Sequence, residues 1–315
     1  MRVFFAGTPD FAVPSLKFLA ADQETEVVGV FSQPPRPRGR GQKTKLTAVS
    51  QTARELNLPL YQVKNINSRD NLDFIAEKEA DFLVVVAFGQ KISGELLNIC
   101  KNGAVNLHAS MLPKYRGPNP IQRAILNGDR ESGLTTMLMD EGWDTGPILM
   151  QKSIPIENDD TLGKLHNKMA EEGAPLLLKT LKLFNTGKIN PQKQSGQPVH
   201  APKLKQEEIY LDWEKDAENL ERKLRALNPF PVARTYYRGE EWKIWKGEVL
   251  NNIPGYQPGQ FKVINEEIVV QTKNEALGIL KLQRPGKKPL PSGAFLRGYP
   301  LEDGDRFGRR GEKNG

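Results

Sequence analysis

Phe82-Leu83-Val84-Val85-Val86 puts five apolar residues in a row. Side chains alternate across a strand, so such a run carries an apolar row on each face and needs cover on both. A strand of that kind belongs in the middle of a mostly parallel sheet with helices above and below. Its neighbours fit this frame. Arg2 to Ala6 reads as a buried strand, and Val13 to Ala20 as a helix with Pro14 in its tolerant first turn. Val27 to Phe31 is a second strand, Thr47 to Asn57 has helical spacing, and Pro59 to Val63 is a short strand. Ser68 to Lys78 reads as a helix with Ser68 at its N-cap and Leu72 and Ile75 on one face. Ala104 to Leu107 supplies a further short strand. The β-α-β-α rhythm predicts an open α/β fold with a mostly parallel, Rossmann-like sheet.

The pattern changes in the second half. Residues 161 to 184 form a long helical pattern with Leu162, Leu165, Met169, Leu176 and Leu183 as its stripe. Asn185 to Gln206 then places Gly187, Pro191, Gly196, Pro198 and Pro202 among polar residues, as an exposed linker does. A helix at Ala217 to Ala226 is followed by short strands at Ala233 to Tyr237, Trp242 to Trp245, Gly259 to Ile264, Ile268 to Thr272 and Leu277 to Gln283. Such a series suggests a small closed barrel, with the OB-fold as its leading form. At 315 residues two domains are the prior. The expected division is a Rossmann-like domain over 1–189, a linker over 190–207 and an OB-like β-barrel over 208–315.

Composition removes several classes. One cysteine, Cys100, cannot form an internal disulfide, and with three histidines a metal centre is not expected. The N-terminal residues hold no signal-peptide core, and no apolar run approaches the roughly 20 residues that span a bilayer. A metal-free, cytoplasmic protein is the expectation. The formal charge of +7 is compatible with a nucleic-acid partner without requiring one.

Where the charge sits is more telling. From Gln33 to Lys45 the chain carries Arg36, Arg38, Arg40, Lys43 and Lys45 and no acid. Its prolines and glycines predict a loop without regular structure, far longer than a strand-to-helix turn needs. Guanidinium groups fit phosphates, so contact with a polyanion is favoured over a merely solvated loop. Gly7-Thr8-Pro9 lacks the second glycine of a dinucleotide fingerprint, and Gly7 reads as a tight turn.

Asn106-Leu107-His108 ends a strand late in the sheet, with both polar side chains on one face. Open α/β sheets bind ligands at that edge. Asn106 offers an amide donor for a developing oxyanion, and His108 a base of the kind that works near neutral pH. Asp140-Glu141-Gly142-Trp143-Asp144-Thr145-Gly146 supplies a carboxylate able to orient such a histidine, although Asp-Thr-Gly is also a good turn sequence. Lys114 to Pro120 suits a lid or a pocket wall. His166 reads as a packed or boundary residue and His200 as part of the linker.

Taken together, Ala6-Gly7-Thr8-Pro9-Asp10-Phe11-Ala12, the Arg36 to Gly41 loop, Asn106-x-His108-x-Ser110-x-Leu112-Pro113 and Tyr115-Arg116-Gly117 resemble the methionyl-tRNA formyltransferase family. So do Asp140-x-Gly142-x-Asp144-Thr145-Gly146, Asn228-Pro229-Phe230-Pro231 and Pro285-Gly286-Lys287-Lys288. The resemblance implies transfer of a formyl group from 10-formyltetrahydrofolate to the α-amino group of methionyl-initiator tRNA. It implies Asn106, His108 and Asp144 as catalytic residues and Ser110, Met111, Leu112 and Pro113 as the border of the folate site. Two departures are visible: Met111 replaces the usual Leu, and Pro35 and Arg38 replace Asp and Ala. For the tRNA, the charge distribution nominates Arg36, Arg38, Arg40, Lys43 and Lys45, with Arg284, Lys287 and Lys288 as a second group. A monomer is expected. The rival readings are a formyltransferase acting on a small amine, a formyl-folate hydrolase, and an RNA-binding protein with an inert α/β domain.

Overall fold

A computed structural model describes residues 1–38 and 43–308. The chain divides into two units. One holds Met1–Pro120, Glu131–Pro155 and His166–Ala201; the other holds Ile121–Arg130, Ile156–Leu165 and Pro202–Gly315.

In chain order the elements up to residue 185 are β1 (Arg2–Gly7), α1 (Val13–Ala21), β2 (Glu26–Ser32), β3 (Arg36–Arg38), β4 (Lys43–Lys45), α2 (Ala48–Glu55) and β5 (Leu60–Gln62). Then come α3 (Arg69–Glu77), β6 (Phe82–Val86), α4 (Gly94–Leu97), β7 (Ala104–His108), α5 (Pro120–Asn127), β8 (Glu131–Leu138), β9 (Ile148–Pro155) and α6 (Leu162–Asn185). From Ile121 onward α5 belongs to the second unit.

The first unit is built on a seven-stranded sheet in the order β5-β2-β1-β6-β7-β8-β9. Strands β5, β2, β1, β6 and β7 are parallel; β8 runs antiparallel to β7, and the edge strand β9, antiparallel to β8, returns to the direction of the first five. The order reverses at β1, which has β2 on one side and β6 on the other. That reversal opens the crevice at which sheets of this kind receive ligands. The apolar run of β6 lies between β1 and β7, and all five residues are buried, as its two-sided pattern requires. Thr47 caps α2 by accepting the Ser50 N–H at 3.0 Å. Ser68 stands at the N-cap of α3, but its hydroxyl makes no capping bond.

One expectation is corrected. Arg36–Arg38 and Lys43–Lys45 pair as a short antiparallel ribbon, with Pro37 opposite Thr44. The prolines and glycines of this stretch predict a loop without a strand. A two-stranded ribbon is all edge, however, and an edge accepts a proline whose missing N–H would face away from the partner. The edge strand β9 and the helices α4 and α5 are further elements that the sequence pattern does not predict.

The second unit contains α7 (Ala217–Ala226), β10 (Ala233–Tyr237), β11 (Glu240–Leu250), β12 (Phe261–Ile264), β13 (Glu267–Gln271), β14 (Ala276–Gln283), β15 (Leu290–Pro291) and α8 (Ser292–Gly298). Its strands form a separate antiparallel sheet ordered β10-β11-β14-β13-β12, with β15 paired to β14. Trp242, Tyr237, Phe261 and Phe307 fill the centre together with Leu220 and Leu224 of α7. The segment after α8 bonds to both sides of the sheet: Gly308 bridges Tyr236 in β10, and Arg306 bridges Gln260 just before β12. Among the described residues, no helix is long and apolar enough to cross a membrane.

Arg123 of α5 ties into this unit through Glu208, with Nη1–Oε1 at 2.5 Å and Nη2–Oε2 at 3.0 Å. The Arg123 guanidinium holds the Glu208 carboxyl below its ordinary value of 4.5. A carboxyl depressed on folding adds stability that is complete above its unfolded value and is lost as pH falls through the folded one. Glu208→Gln should therefore lower stability at pH 7 and flatten the loss of stability below pH 4.5. Urea melts of both proteins between neutral and acid pH check this.

Candidate active site

Strand β7 carries the first two candidate residues into the sheet edge. Asn106 sits opposite Met137 and His108 opposite Thr135 of β8, two positions apart and hence on one face. Both are buried, at 9% and 7% exposure. Among the described residues nothing hydrogen-bonds the Asn106 side chain. Its amide is not fully enclosed, so its hydrogen-bonding capacity is open to water or to a ligand.

His108 is held from one side only. Its Nε2 lies 2.9 Å from the carbonyl oxygen of Tyr115. A carbonyl can only accept, so Nε2 carries the hydrogen and the neutral ring has its lone pair on Nδ1. Nδ1 faces Asp144, with Oδ1 at 3.7 Å. That separation is too long for a hydrogen bond, but it sets a carboxylate against the lone-pair edge of the ring. The orientation expected from Asp144 thus comes from the Tyr115 backbone, which sequence reasoning did not find.

Asp144 is fixed in turn by backbone groups. Its Oδ2 accepts the Gly117 N–H at 2.8 Å, and its own backbone takes the left-handed φ of 55°. Gly146 lets the turn close, since a Cβ there would lie 1.8 Å from the Leu138 carbonyl oxygen. Thr145 Oγ1 donates to the Asp140 carboxylate at 2.7 Å, which closes the other end of the same turn. A further clamp comes from the stretch read as an exposed linker. Residues 190–200 are mostly exposed, yet their backbone is bonded into this unit. Gln192 bridges Ile148, Val199 accepts the Arg116 N–H at 2.8 Å, and Ala201 donates to Arg116 at 2.7 Å.

The segment Ser110 to Pro113 is committed to its own support. Thr135 Oγ1 donates to the Ser110 carbonyl at 2.6 Å and accepts the Leu112 N–H at 3.1 Å. Gln151 donates to the Leu112 carbonyl at 2.9 Å, and Ser110 Oγ to that of Lys114 at 2.5 Å. Ser110 and Leu112 are buried, so Met111 and Pro113, both half-buried, present what surface there is.

The cationic candidates divide. Arg40 lies outside the described residues, and of Arg36, Arg38 and Lys43 only the backbone ribbon is described. Lys45 is exposed and lines a cavity of about 350 Å³ with Thr8, Asp10, Gln33 and Thr47, beyond the carboxyl ends of β1 and β2. Arg284 is engaged: its guanidinium pairs with Glu240 at 3.0 Å and stacks over Tyr299 at 4.0 Å. Lys287 and Lys288 are exposed in the turn that follows. His166 is a boundary residue, with Nε2 3.7 Å from Asp10 and its ring edge-on to Phe11. Cys100 is buried, and burial pushes its thiol up to about 12, which leaves it no nucleophilic role.

A buried base and a buried amide donor at the ligand-binding edge of an α/β sheet suit transfer of an acyl-type group. The chain belongs to the formyl transferase family: residues 1–181 match Formyl transferase, and residues 203–300 match Formyl transferase, C-terminal domain. Among curated relatives it is 42% identical over 306 residues to methionyl-tRNA formyltransferase of Pelotomaculum thermopropionicum, covering 96% of this chain and 97% of that one. It is 40% identical over 316 residues to methionyl-tRNA formyltransferase of Halothermothrix orenii, covering 98% and 100%. A variant of HypX from Aquifex aeolicus shares the fold, with a TM-score of 0.63 at 19% identity over 96% of this chain; the chain spans 48% of HypX.

Gly117 is the most exacting position in this arrangement. Its φ is 115°, and a Cβ would lie 2.9 Å from the Ala201 carbonyl oxygen. Gly117→Ala should cost about 1–3 kcal/mol in urea denaturation, because both the backbone angle and the space oppose a side chain.

Proposed function

We propose that this chain transfers the formyl group of 10-formyltetrahydrofolate to the α-amino group of methionyl-initiator tRNA, with Asn106, His108 and Asp144 as its catalytic residues. The observation that carries the reading is the unpartnered Asn106 amide beside a histidine whose Nδ1 lone pair faces a carboxylate. A chain matched along 96% of its length by a methionyl-tRNA formyltransferase supports the substrate pair.

When bound, 10-formyltetrahydrofolate supplies the formyl carbon as electrophile. The residues present fit it: Asn106 has an amide uncommitted to the protein at the carboxyl end of β7, and Met111 and Pro113 are half-buried apolar residues in the segment that follows. Asn106 donates to the oxygen that gains negative charge as the amine attacks, and such a donor is worth roughly 2.7–4 kcal/mol at the transition state. His108 takes the proton leaving the amine at Nδ1, the nitrogen without a hydrogen, and would return it to the folate N10 as the carbon–N10 bond breaks and tetrahydrofolate leaves. Asp144 stabilises the imidazolium that results, and the Tyr115 carbonyl keeps the ring from turning. No covalent enzyme intermediate is required, because a neutral amine is nucleophile enough.

The functional division we favour is a catalytic part over 1–189, a connecting part over 190–207 and a tRNA-binding part over 208–315. The last would be an OB-like barrel, its edge strands β10 and β12 joined through residues 305–308. Arg36, Arg38, Arg40, Lys43 and Lys45 of the first unit would meet tRNA phosphates, and so would Lys287 and Lys288 of the second. Arg284 is better suited to holding the second turn through Glu240.

Incubation with 10-formyltetrahydrofolate and methionyl-initiator tRNA should yield formylmethionyl-tRNA; release of formate alone would overturn the reading. In that assay Asn106→Ala and His108→Ala should each lower kcat by about 10²-fold or more, with both KM values nearly unchanged. A separate measurement concerns charge. Lys287→Ala and Lys288→Ala should weaken tRNA binding and reduce the log–log salt slope by up to about one per lost phosphate contact, leaving folate affinity unaltered.

A further inference from the structure

The least expected side chain in the first unit is Gln194, in the turn-rich stretch after α6. All of its polar capacity is directed at the catalytic segments. Nε2 donates to the backbone carbonyl of Asp144 at 2.9 Å and to that of Gly146 at 2.8 Å. Oε1 accepts from Arg116 Nε at 3.0 Å and Nη2 at 2.6 Å. Arg116 lies between Tyr115, whose carbonyl holds His108, and Gly117, whose N–H holds Asp144. One amide therefore joins the segment that orients the base to the segment that carries the acid.

We infer that Gln194 is a positioning residue for formyl transfer, fixing Asp144 against His108 by clamping the backbone on both sides of the site. The inference rests on the reading of Asn106, His108 and Asp144 given above. The physical need is plain. Asp144 sits in a loop with φ 55° and pairs with His108 only at 3.7 Å, so a small slip of the loop changes that distance proportionately more than it would a packed strand. The Gly117 N–H fixes one oxygen of the carboxylate but not the peptide that carries it. Gln194 supplies the missing constraint on the peptide. Glutamine suits the position because one amide end donates twice while the other accepts; a carboxylate would accept from Arg116 equally well but would turn an oxygen toward two carbonyls.

That difference separates a positioning role from a structural one. Gln194→Glu keeps, and strengthens with charge, the link to Arg116, so its melting temperature should stay near that of the parent. It loses both donors to the Asp144 turn, so kcat should fall between about tenfold and a hundredfold while KM for folate and for tRNA stays within about threefold. Gln194→Met, which removes both ends, should show a similar kcat with a lower melting temperature. Parental kcat in Gln194→Glu would overturn the inference, as would a loss expressed only in either KM. Asp144→Asn, measured alongside, tells the two failures apart. If Asp144→Asn is inactive and Gln194→Glu is not, only the role of Gln194 falls. If Asp144→Asn is fully active, the reading of the site falls with it.

Discussion

The bond from His108 Nε2 to the Tyr115 carbonyl organises the first unit's functional edge. It decides which ring nitrogen has a lone pair, and so which direction a proton can arrive from. It also requires residue 115 to turn its carbonyl back toward the strand it has just left. Tyr115 meets that requirement with a left-handed φ of 62°, a conformation that costs a non-glycine residue about 1–2 kcal/mol. The return is a base whose tautomer does not depend on solvent. Around it the 110–119 segment has little freedom: Thr135 and Gln151 bond its start, and Val199 and Ala201 bond its end.

The three proposed catalytic groups are supported by different means, and the difference follows from where they sit. Asn106 and His108 lie on β7, between β6 and β8, where packing on both faces and hydrogen bonds on both edges fix the backbone. Strand residues need no special clamp. Asp144 lies in a glycine-bounded turn and has no such surroundings. Its position rests on separate hydrogen bonds, each worth about 1 kcal/mol net, from Gly117 and Gln194. Together they offset a strained φ of comparable cost.

The same distinction explains what could be read from the sequence. Strand β10 and helix α7 were placed to the residue, and β6 nearly so, because each declares itself through periodicity or an unbroken apolar run. Asn106 and His108 were legible for the same reason: period-two alternation assigns them one face. Strand β9 was missed because Gln151, Lys152 and Ser153 leave it half-exposed at the sheet edge, without an apolar run. The ribbon of β3 and β4 was missed because proline counts against a strand only where both edges are paired. Backbone groups leave no mark at all: nothing in the residue names says that Tyr115 acts through its carbonyl or Gly117 through its N–H. Gln194 was hidden in a composition typical of linkers, although the residues after it follow the 113–119 loop.

That last point has a consequence for how such chains are divided. Low hydrophobicity and abundant turn residues measure how little a stretch buries, and residues 190–200 do bury little. They do not measure how many hydrogen bonds its backbone makes. A strap that crosses a loop can be exposed on its outer side and fully bonded on its inner side, at no hydrophobic cost. Here the inner bonds reach Pro113, Arg116, Asn119 and Ile148, so cutting or lengthening the strap would release the Tyr115 and Asp144 segments together. An insertion tolerated between Thr186 and Asn190, where the first bond to the sheet has not yet formed, would be harmful six residues later. The border of the working site is set by backbone pairing and not by composition.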